Sequence, residues 1–264
     1  MIRALTITLV LLLSTGCATS PLGRKQLMLM PDNELKQMGL QAFQQMKRKA
    51  PISQNPRTNA YVRCVTDAIT AVIGGQWEVL VFEDKTPNAF ALPGGKIGVH
   101  TGLLKVAANQ HQLATVIAHE VAHVLARHSN ERISQQLAVE QGLNLGLAIA
   151  APQTATGRSV LGLLGLGAQY GILLPYSRTH ESEADLLGLD LMARAGFDPR
   201  ESIALWLNMN KAGNGRQPPE FLSTHPAHQT RIQDLKARMP HAMELRRRAL
   251  ASGRNPQCTG SGFR

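Results

Sequence analysis

The stretch that decides the reading is His119-Glu120-Val121-Ala122-His123, set within Gln112–His128, QLATVIAHEVAHVLARH. It holds no Gly or Pro, so it predicts one continuous helix running through His128. Residues four apart on a helix lie one turn above each other, which puts His119 and His123 on one face. At about 100° per residue, Glu120 projects beside that pair rather than opposite it. Two imidazoles can then grip one metal ion, with a carboxylate over the ion's open position, a spacing suited to metal-assisted hydrolysis. Leu113, Val116, Ile117, Val121, Val124 and Leu125 cover most of the helix circumference, which predicts burial. Buried histidines need partners, and two of them do not complete a site.

The third ligand lies downstream. His180-Glu181-Ser182-Glu183-Ala184-Asp185 opens a second helical pattern that runs through Leu186, Leu187, Leu189, Leu191 and Met192 to Gly196. Glu181 and Asp185, four apart, share a face. A catalytic zinc site takes three protein ligands and a water, so Glu181 completes His119 and His123. Asp185 can then accept the free ring N–H of a ligand histidine and fix its tautomer. By themselves these acids also read as a solvated first helical turn. The upstream motif favours the ligand role for Glu181, while Glu183 points elsewhere.

At these residues the chain resembles the gluzincin metallopeptidases. That family includes the integral-membrane protease HtpX, the CaaX prenyl protease of eukaryotes, and the periplasmic BepA and LoiP branch. The resembling stretches are Asn88-Ala-Phe-Ala-Leu-Pro-Gly-Gly95, the His119–His123 motif on to Arg127-His128, Ser177-Arg178 through Asp185-Leu-Leu-Gly188, and Ser223-Thr-His-Pro226. With the helix from Pro31 they cover most of residues 25–240, and the missing multi-span membrane domain makes the chain look like the BepA/LoiP branch. The resemblance implies a zincin-like metallopeptidase domain of α+β class, mainly helical, with a small β-sheet beside the active-site helix. It implies one Zn2+ per chain on His119, His123 and Glu181, with Glu120 as general base. His225 matches a position that can approach the metal, either capping the open site at rest or donating to the tetrahedral intermediate. It also reads as a plain helix-entry histidine before Pro226.

The resemblance further implies a metalloendopeptidase that clears misfolded or misassembled outer-membrane proteins. Its substrates would be unfolded envelope proteins, and outer-membrane assembly machinery would be a partner. The alternative is a chaperone-like lipoprotein that assists assembly, with minor or latent proteolysis. The same two-nitrogen, one-oxygen ligand set binds iron in oxygen chemistry, but the glutamate between the histidines favours hydrolysis.

The 264 residues suffice for one domain with a sizeable core or two small ones. They are 44% hydrophobic but only 4% aromatic, which predicts an aliphatic core. A net charge of +10 suits nucleic acid or an anionic membrane surface. The bases are largely spread, with a run at Arg246-Arg247-Arg248, and no nucleic-acid motif or aromatic platform accompanies them, so nucleic acid is not expected as a partner. Residues 1–16 read as a secretory signal peptide, with Arg3 before an apolar run from Ala4 to Leu13 that is too short to span a bilayer. Ser14-Thr-Gly-Cys17 resembles a bacterial lipobox, with Ser14 where Leu is usual, and makes Cys17 the lipidation site. Ala18 resembles the pattern that sends lipoproteins to the outer membrane. The expectation is an exported, periplasmic chain held at the outer-membrane surface by a lipid anchor. Residues 17–30 would be the tether, 31–250 the peptidase domain and 251–264 a tail. Ordinary cleavage near Gly16 or Ala18, leaving a soluble periplasmic enzyme, is the alternative.

Cys64 and Cys258, an even pair in an exported chain, suggest a disulfide, with two free thiols as the other reading. Trp77–Phe82, Ala89–Leu92 and Lys96–Val99 read as strands ahead of the active-site helix. An edge strand there can pair with an extended peptide, so the Ala91–Val99 hairpin is expected to line the substrate groove. Gln141–Ser177 carries one charge, Arg158, and reads as a lid or membrane-facing flap, or else as a buried helical hairpin. Arg231 is expected to make a scaffold salt bridge. His111, His228 and His241 are expected at the surface, His128 in local hydrogen bonds, and His180 off the ligand face. No phosphate loop or Gly-x-Ser-x-Gly elbow is present.

Overall fold

The computed structural model describes residues 17–149, 176–212, 221, 225 and 230–259. The expected signal (1–16), residues 150–175 of the expected flap, His228 and the last residues of the tail lie outside them. The elements are β1 (Cys17–Thr19), β2 (Lys25–Leu27), α1 (Asp32–Lys49), α2 (Pro56–Thr70), β3 (Glu78–Phe82), β4 (Ala89–Leu92) and β5 (Lys96–His100). After a 3-10 turn at Leu103–Lys105 come α3 (Gln110–Leu125), α4 (His128–Ile149), α5 (Arg178–Arg194), α6 (Glu201–Ala212) and α7 (Thr230–Ala251). This is the expected α+β, mainly helical class. The chain divides into two compact units, Met1–Leu35 with Arg127–Leu174, and Lys36–Ala126 with Pro175–Arg264.

In the first unit, residues 17–27 form a hairpin, with Cys17 of β1 opposite Leu27 of β2. The hairpin meets α4 through polar groups. Arg24 forks onto the buried Glu131 at 2.5 and 2.6 Å, and Gln26 donates to the same carboxylate at 2.8 Å. The Leu29 amide donates to Ser134 Oγ at 2.7 Å, and Asn130 Nδ2 donates to the Met30 carbonyl at 2.8 Å. A buried carboxylate needs this density of donors to stay charged.

The reading of one helix through His128 is corrected. The helix stops at Leu125, Arg127 adopts a left-handed φ of 56°, and a new helix starts at His128. A left-handed residue cannot continue a right-handed helix. Arg127 forms an ion pair with Asp32. The polar run that follows, His128 to Arg132, is buried and takes partners from residues 24–30.

In the second unit the sheet has the order β3-β5-β4. β5 lies parallel to β3 and antiparallel to β4, with Ala91 opposite Ile97. The core is aliphatic, as the composition predicts, and includes Val62, Val65, Ile69, Ile97, Val99, Leu113, Ile117, Val121 and Met192. Helix α3 runs through its centre, packing on α2, β4, α5 and α6. Asn109 caps it, its side chain accepting from the His111 and Gln112 amides at 2.9 and 3.0 Å. Cys64 in α2 and Cys258 beyond α7 are joined by a disulfide with a Cα–Cα distance of 5.7 Å, which fastens the end of the chain to an early helix.

The approach of α5 to α3 is set at Gly188. A Cβ there would lie 2.9 Å from the His119 amide nitrogen and 3.0 Å from its Cα, so only glycine permits this contact. Glu181 and Asp185 reach His119 because the two backbones touch at that point. Gly188→Ala is therefore expected to lower stability by about 1–3 kcal/mol through overpacking and to weaken metal binding. Denaturant unfolding and metal titration check both effects, and unchanged metal affinity would contradict the role given to this contact.

Candidate metal centre

Helix α3 presents His119, Glu120 and His123, all buried. Helix α5 presents Glu181 in its first turn, just after Ser177 caps it by accepting the His180 amide at 3.2 Å. His225 enters from a short turn in which its amide donates to the Phe221 carbonyl at 2.8 Å. One donor atom from each of His119, His123, Glu181 and His225 lies within 4.8 Å of all the others.

The spacings identify what this cluster suits. His119 Nε2 lies 3.1 Å from His123 Nε2, 3.3 Å from His225 Nδ1 and 3.4 Å from Glu181 Oε2. Glu181 Oε1 lies 3.4 Å from His123 Nε2 and 2.9 Å from His225 Nδ1. A tetrahedral ion with metal–ligand bonds of about 2.0–2.1 Å has neighbouring donors about 3.3 Å apart. Three imidazole nitrogens turned toward one another cannot all satisfy each other with hydrogen bonds, whereas one cation satisfies them together. The donor set thus fits a divalent metal.

Around the donors lies a shell of charge. His119 Nδ1 sits 3.1 Å from Asp185 Oδ1, the expected tautomer-fixing contact, at ion-pair distance and off the linear hydrogen-bond direction. Arg231, almost fully buried, donates to Asp185 through Nε and Nη2 at 2.6 and 2.7 Å. Its Nη1 lies 2.9 Å from Glu181 Oε2, and its guanidinium lies 3.9 Å from the centre of the Trp206 ring. Arg231 is thus more than the expected scaffold bridge, because one cation serves both acids of α5. Burial favours neutral carboxyls, yet Arg231 and His119 keep Asp185 below its ordinary pKa. Burial also opposes ionisation of Glu181, but hydrogen bonds from His119, His123 and His225 hold it charged, far below the usual range.

The two helix histidines diverge. Burial disfavours the imidazolium at both. At His119 burial is outweighed by the adjacent Asp185 and Glu181 carboxylates, which raise the pKa to about 9, whereas at His123 burial wins and the pKa falls well below its ordinary value. Burial raises the Glu120 pKa, with His225 and His119, and last the Ala91 amide, pulling the other way. Glu120 Oε1 lies 3.4 Å from His225 Nε2.

Aromatic rings pack the cluster in place. Tyr176 stacks on His123 with centroids 3.9 Å apart, and Phe221 stacks on His225 at 4.6 Å. The sequence reading passed over both. The available signal was position, since Tyr176 immediately precedes the Ser177 cap and Phe221 stands one helical turn before His225. His111, expected at the surface, is corrected to partly buried, because its Nδ1 accepts the Asp198 amide at 3.2 Å and its ring meets Phe197. His180 is buried against Tyr176 and outside the donor cluster.

Comparison with known proteins agrees with this chemistry. The family described as Peptidase family M48 matches residues 53–239. Mitochondrial metalloendopeptidase OMA1 of Schizosaccharomyces pombe is 42% identical over 193 residues, 72% of this chain and 55% of that protein. Its namesake in Saccharomyces cerevisiae is 42% identical over 180 residues, 65% of this chain and 50% of that protein. The Beta-barrel assembly-enhancing protease of Escherichia coli K12 is 30% identical over 215 residues, 76% of this chain and 43% of that protein. The chain spans about half the length of these relatives. The expected periplasmic, outer-membrane-anchored location is corrected, because the 42% identical relatives are named as mitochondrial proteins. Among the described residues no helix is long and apolar enough to cross a membrane.

The raised His119 pKa makes metal binding a proton exchange. Below pH 9 the metal-free protein holds a proton on His119 that the ion must displace, so affinity rises with pH toward about 9. Titration calorimetry at pH 7.5 in buffers of different ionisation enthalpy is expected to show release of about one proton per ion. No net release would contradict the assignment of His119 as a ligand.

Proposed function

The chain belongs to peptidase family M48, and from that premise we propose that it is a zinc-dependent endopeptidase acting on misfolded or misassembled membrane proteins. The observation that carries the reading is the His119, His123, Glu181 and His225 cluster with Glu120 alongside. Nitrogen and carboxylate donors at tetrahedral spacing suit zinc. When bound, zinc would polarise the scissile carbonyl and ease deprotonation of the attacking water.

The chain's own groups do the rest. Glu120 takes the water proton and returns it to the leaving nitrogen, and burial, by raising its pKa, makes it a stronger base. Four protein donors would leave a bound ion no open position, so His225 would serve as a cap that gives way to substrate, and His119, His123 and Glu181 would hold the ion.

The substrate path follows from the sheet. The His100 amide donates to the Asn88 carbonyl at 3.0 Å, which fixes the alternation of the β4–β5 ladder. Ala89 and Ala91 then sit at non-hydrogen-bonded positions, with their backbone groups turned away from β5. Among the described residues no strand pairs with that outer side of β4, and the Ala91 amide faces Glu120. An extended peptide added there would carry its backbone past the catalytic base. An edge strand that can take a peptide backbone at any point along a chain suits internal cleavage, in keeping with the name metalloendopeptidase carried by a relative. The name Beta-barrel assembly-enhancing protease supports membrane proteins as substrates. The words assembly-enhancing in that name also support a second reading, chaperone-like assistance in assembly with latent or minor proteolysis.

Glu120→Gln is expected to keep one zinc per chain and to lose about 1000-fold in turnover of unstructured protein. Full activity in that variant would sink the mechanism. His225→Ala is expected to keep the metal and to cleave flexible peptides severalfold faster. A fall of about 100-fold would instead make His225 a transition-state donor and contradict the cap.

A further inference from the structure

A groove of about 700 Å³ lies at the turn between β4 and β5, and the catalytic cluster does not use it. Lys36 and Leu40 of α1, Gln76-Trp77-Glu78 at the start of β3, and Gly94 and Lys96 of the turn line it. The walls are fixed. A Cβ at Gly39 would meet the Pro93 carbonyl oxygen at 2.1 Å, so α1 lies directly against the turn. Trp77 donates its indole N–H to the Gly74 carbonyl at 3.0 Å, which sets the orientation of a half-exposed ring.

The charge of the groove is unequal. Among the described residues that line it, Glu78 is the one carboxylate, and Lys96 and Lys47 already hold it at 2.8 and 3.3 Å, keeping its pKa low. The exposed Lys36 ammonium is left as surplus positive charge. A ligand for this surface carries a negative group for Lys36 and an apolar group for the Trp77 and Leu40 walls.

Position decides what that ligand is. Gly94 stands three residues beyond Ala91, or roughly 10 Å of extended chain. A peptide paired antiparallel to β4 at Ala91 sends its residues N-terminal to the scissile bond toward this turn. We propose that the groove is a distal subsite of the peptidase, taking an acidic side chain with an apolar neighbour three to five residues N-terminal to the cleaved bond. This rests on the endopeptidase reading and extends it to a substrate preference.

The test uses fluorogenic peptides that share one flexible core and carry Glu-Leu, Gln-Leu or Lys-Leu at that distance. Wild-type kcat/KM is expected to be about fivefold higher for the Glu peptide than for the Gln peptide, with Lys lowest, and the preference to shrink in high salt. Moving the Glu-Leu pair to the C-terminal side of the bond should remove the preference, and Lys36→Glu should abolish or invert it. Fluorescence anisotropy of labelled peptides on the Glu120→Gln protein gives a readout independent of turnover, and the same order of affinities is expected. Equal affinities for the Glu and Gln peptides, or a preference that survives Lys36→Glu, would overturn the subsite. Cleavage of all three peptides at one rate would overturn the subsite while leaving the endopeptidase reading intact. Cleavage of none would sink that reading, and anisotropy alone would then judge the groove.

Discussion

A carboxylate in a dry interior must be matched by positive charge, and Arg231 meets that demand for two of them. Its guanidinium reaches Asp185 with two donors and Glu181 with a third. Those two acids stand one turn apart on α5, so their shared cation also sets how that helix face is presented. Asp185 in turn orients His119, and Glu181 faces both helix histidines. Without Arg231, two buried carboxylates would lose the cation they share, a loss of several kcal/mol in comparable sites. The metal cluster is in this sense the visible part of a larger charge network.

Packing makes that network possible. Gly188 lets α5 touch α3 at His119, and the ring stacks of Tyr176 and Phe221 hold His123 and His225 against drift. The sheet contributes differently. By placing β5 in the centre, it leaves β4 as an edge whose Ala91 amide faces Glu120. Helices therefore build the cation site, and the edge strand beside them offers a backbone template. Both depend on the aliphatic core around α3, from Leu113 through Val121.

The legible part of the site was the part governed by helical spacing. His119 with His123, and Glu181 with Asp185, are pairs four apart, and the structure brings both pairs to one place. Contacts between distant segments left weaker traces. Arg231 lies 46 residues from Asp185, and nothing in its local sequence distinguishes a hub from a surface bridge. The parallel pairing of β3 with β5 was similarly hidden, because alternation marks strands but not their order. The break at Arg127 went unseen because no Gly or Pro announces it. The export reading rested on a short leader and a four-residue lipobox, strings that carry no information about the fold, and the relatives overturned the location drawn from them.

The measurement that bears most directly on the account is anomalous diffraction at the zinc edge from crystals of the zinc-loaded protein. The account predicts one strong peak per chain, about 2.0–2.2 Å from His119 Nε2, His123 Nε2, Glu181 and His225 Nδ1. A peak bound elsewhere, or one that leaves Glu181 outside bonding distance, would contradict it.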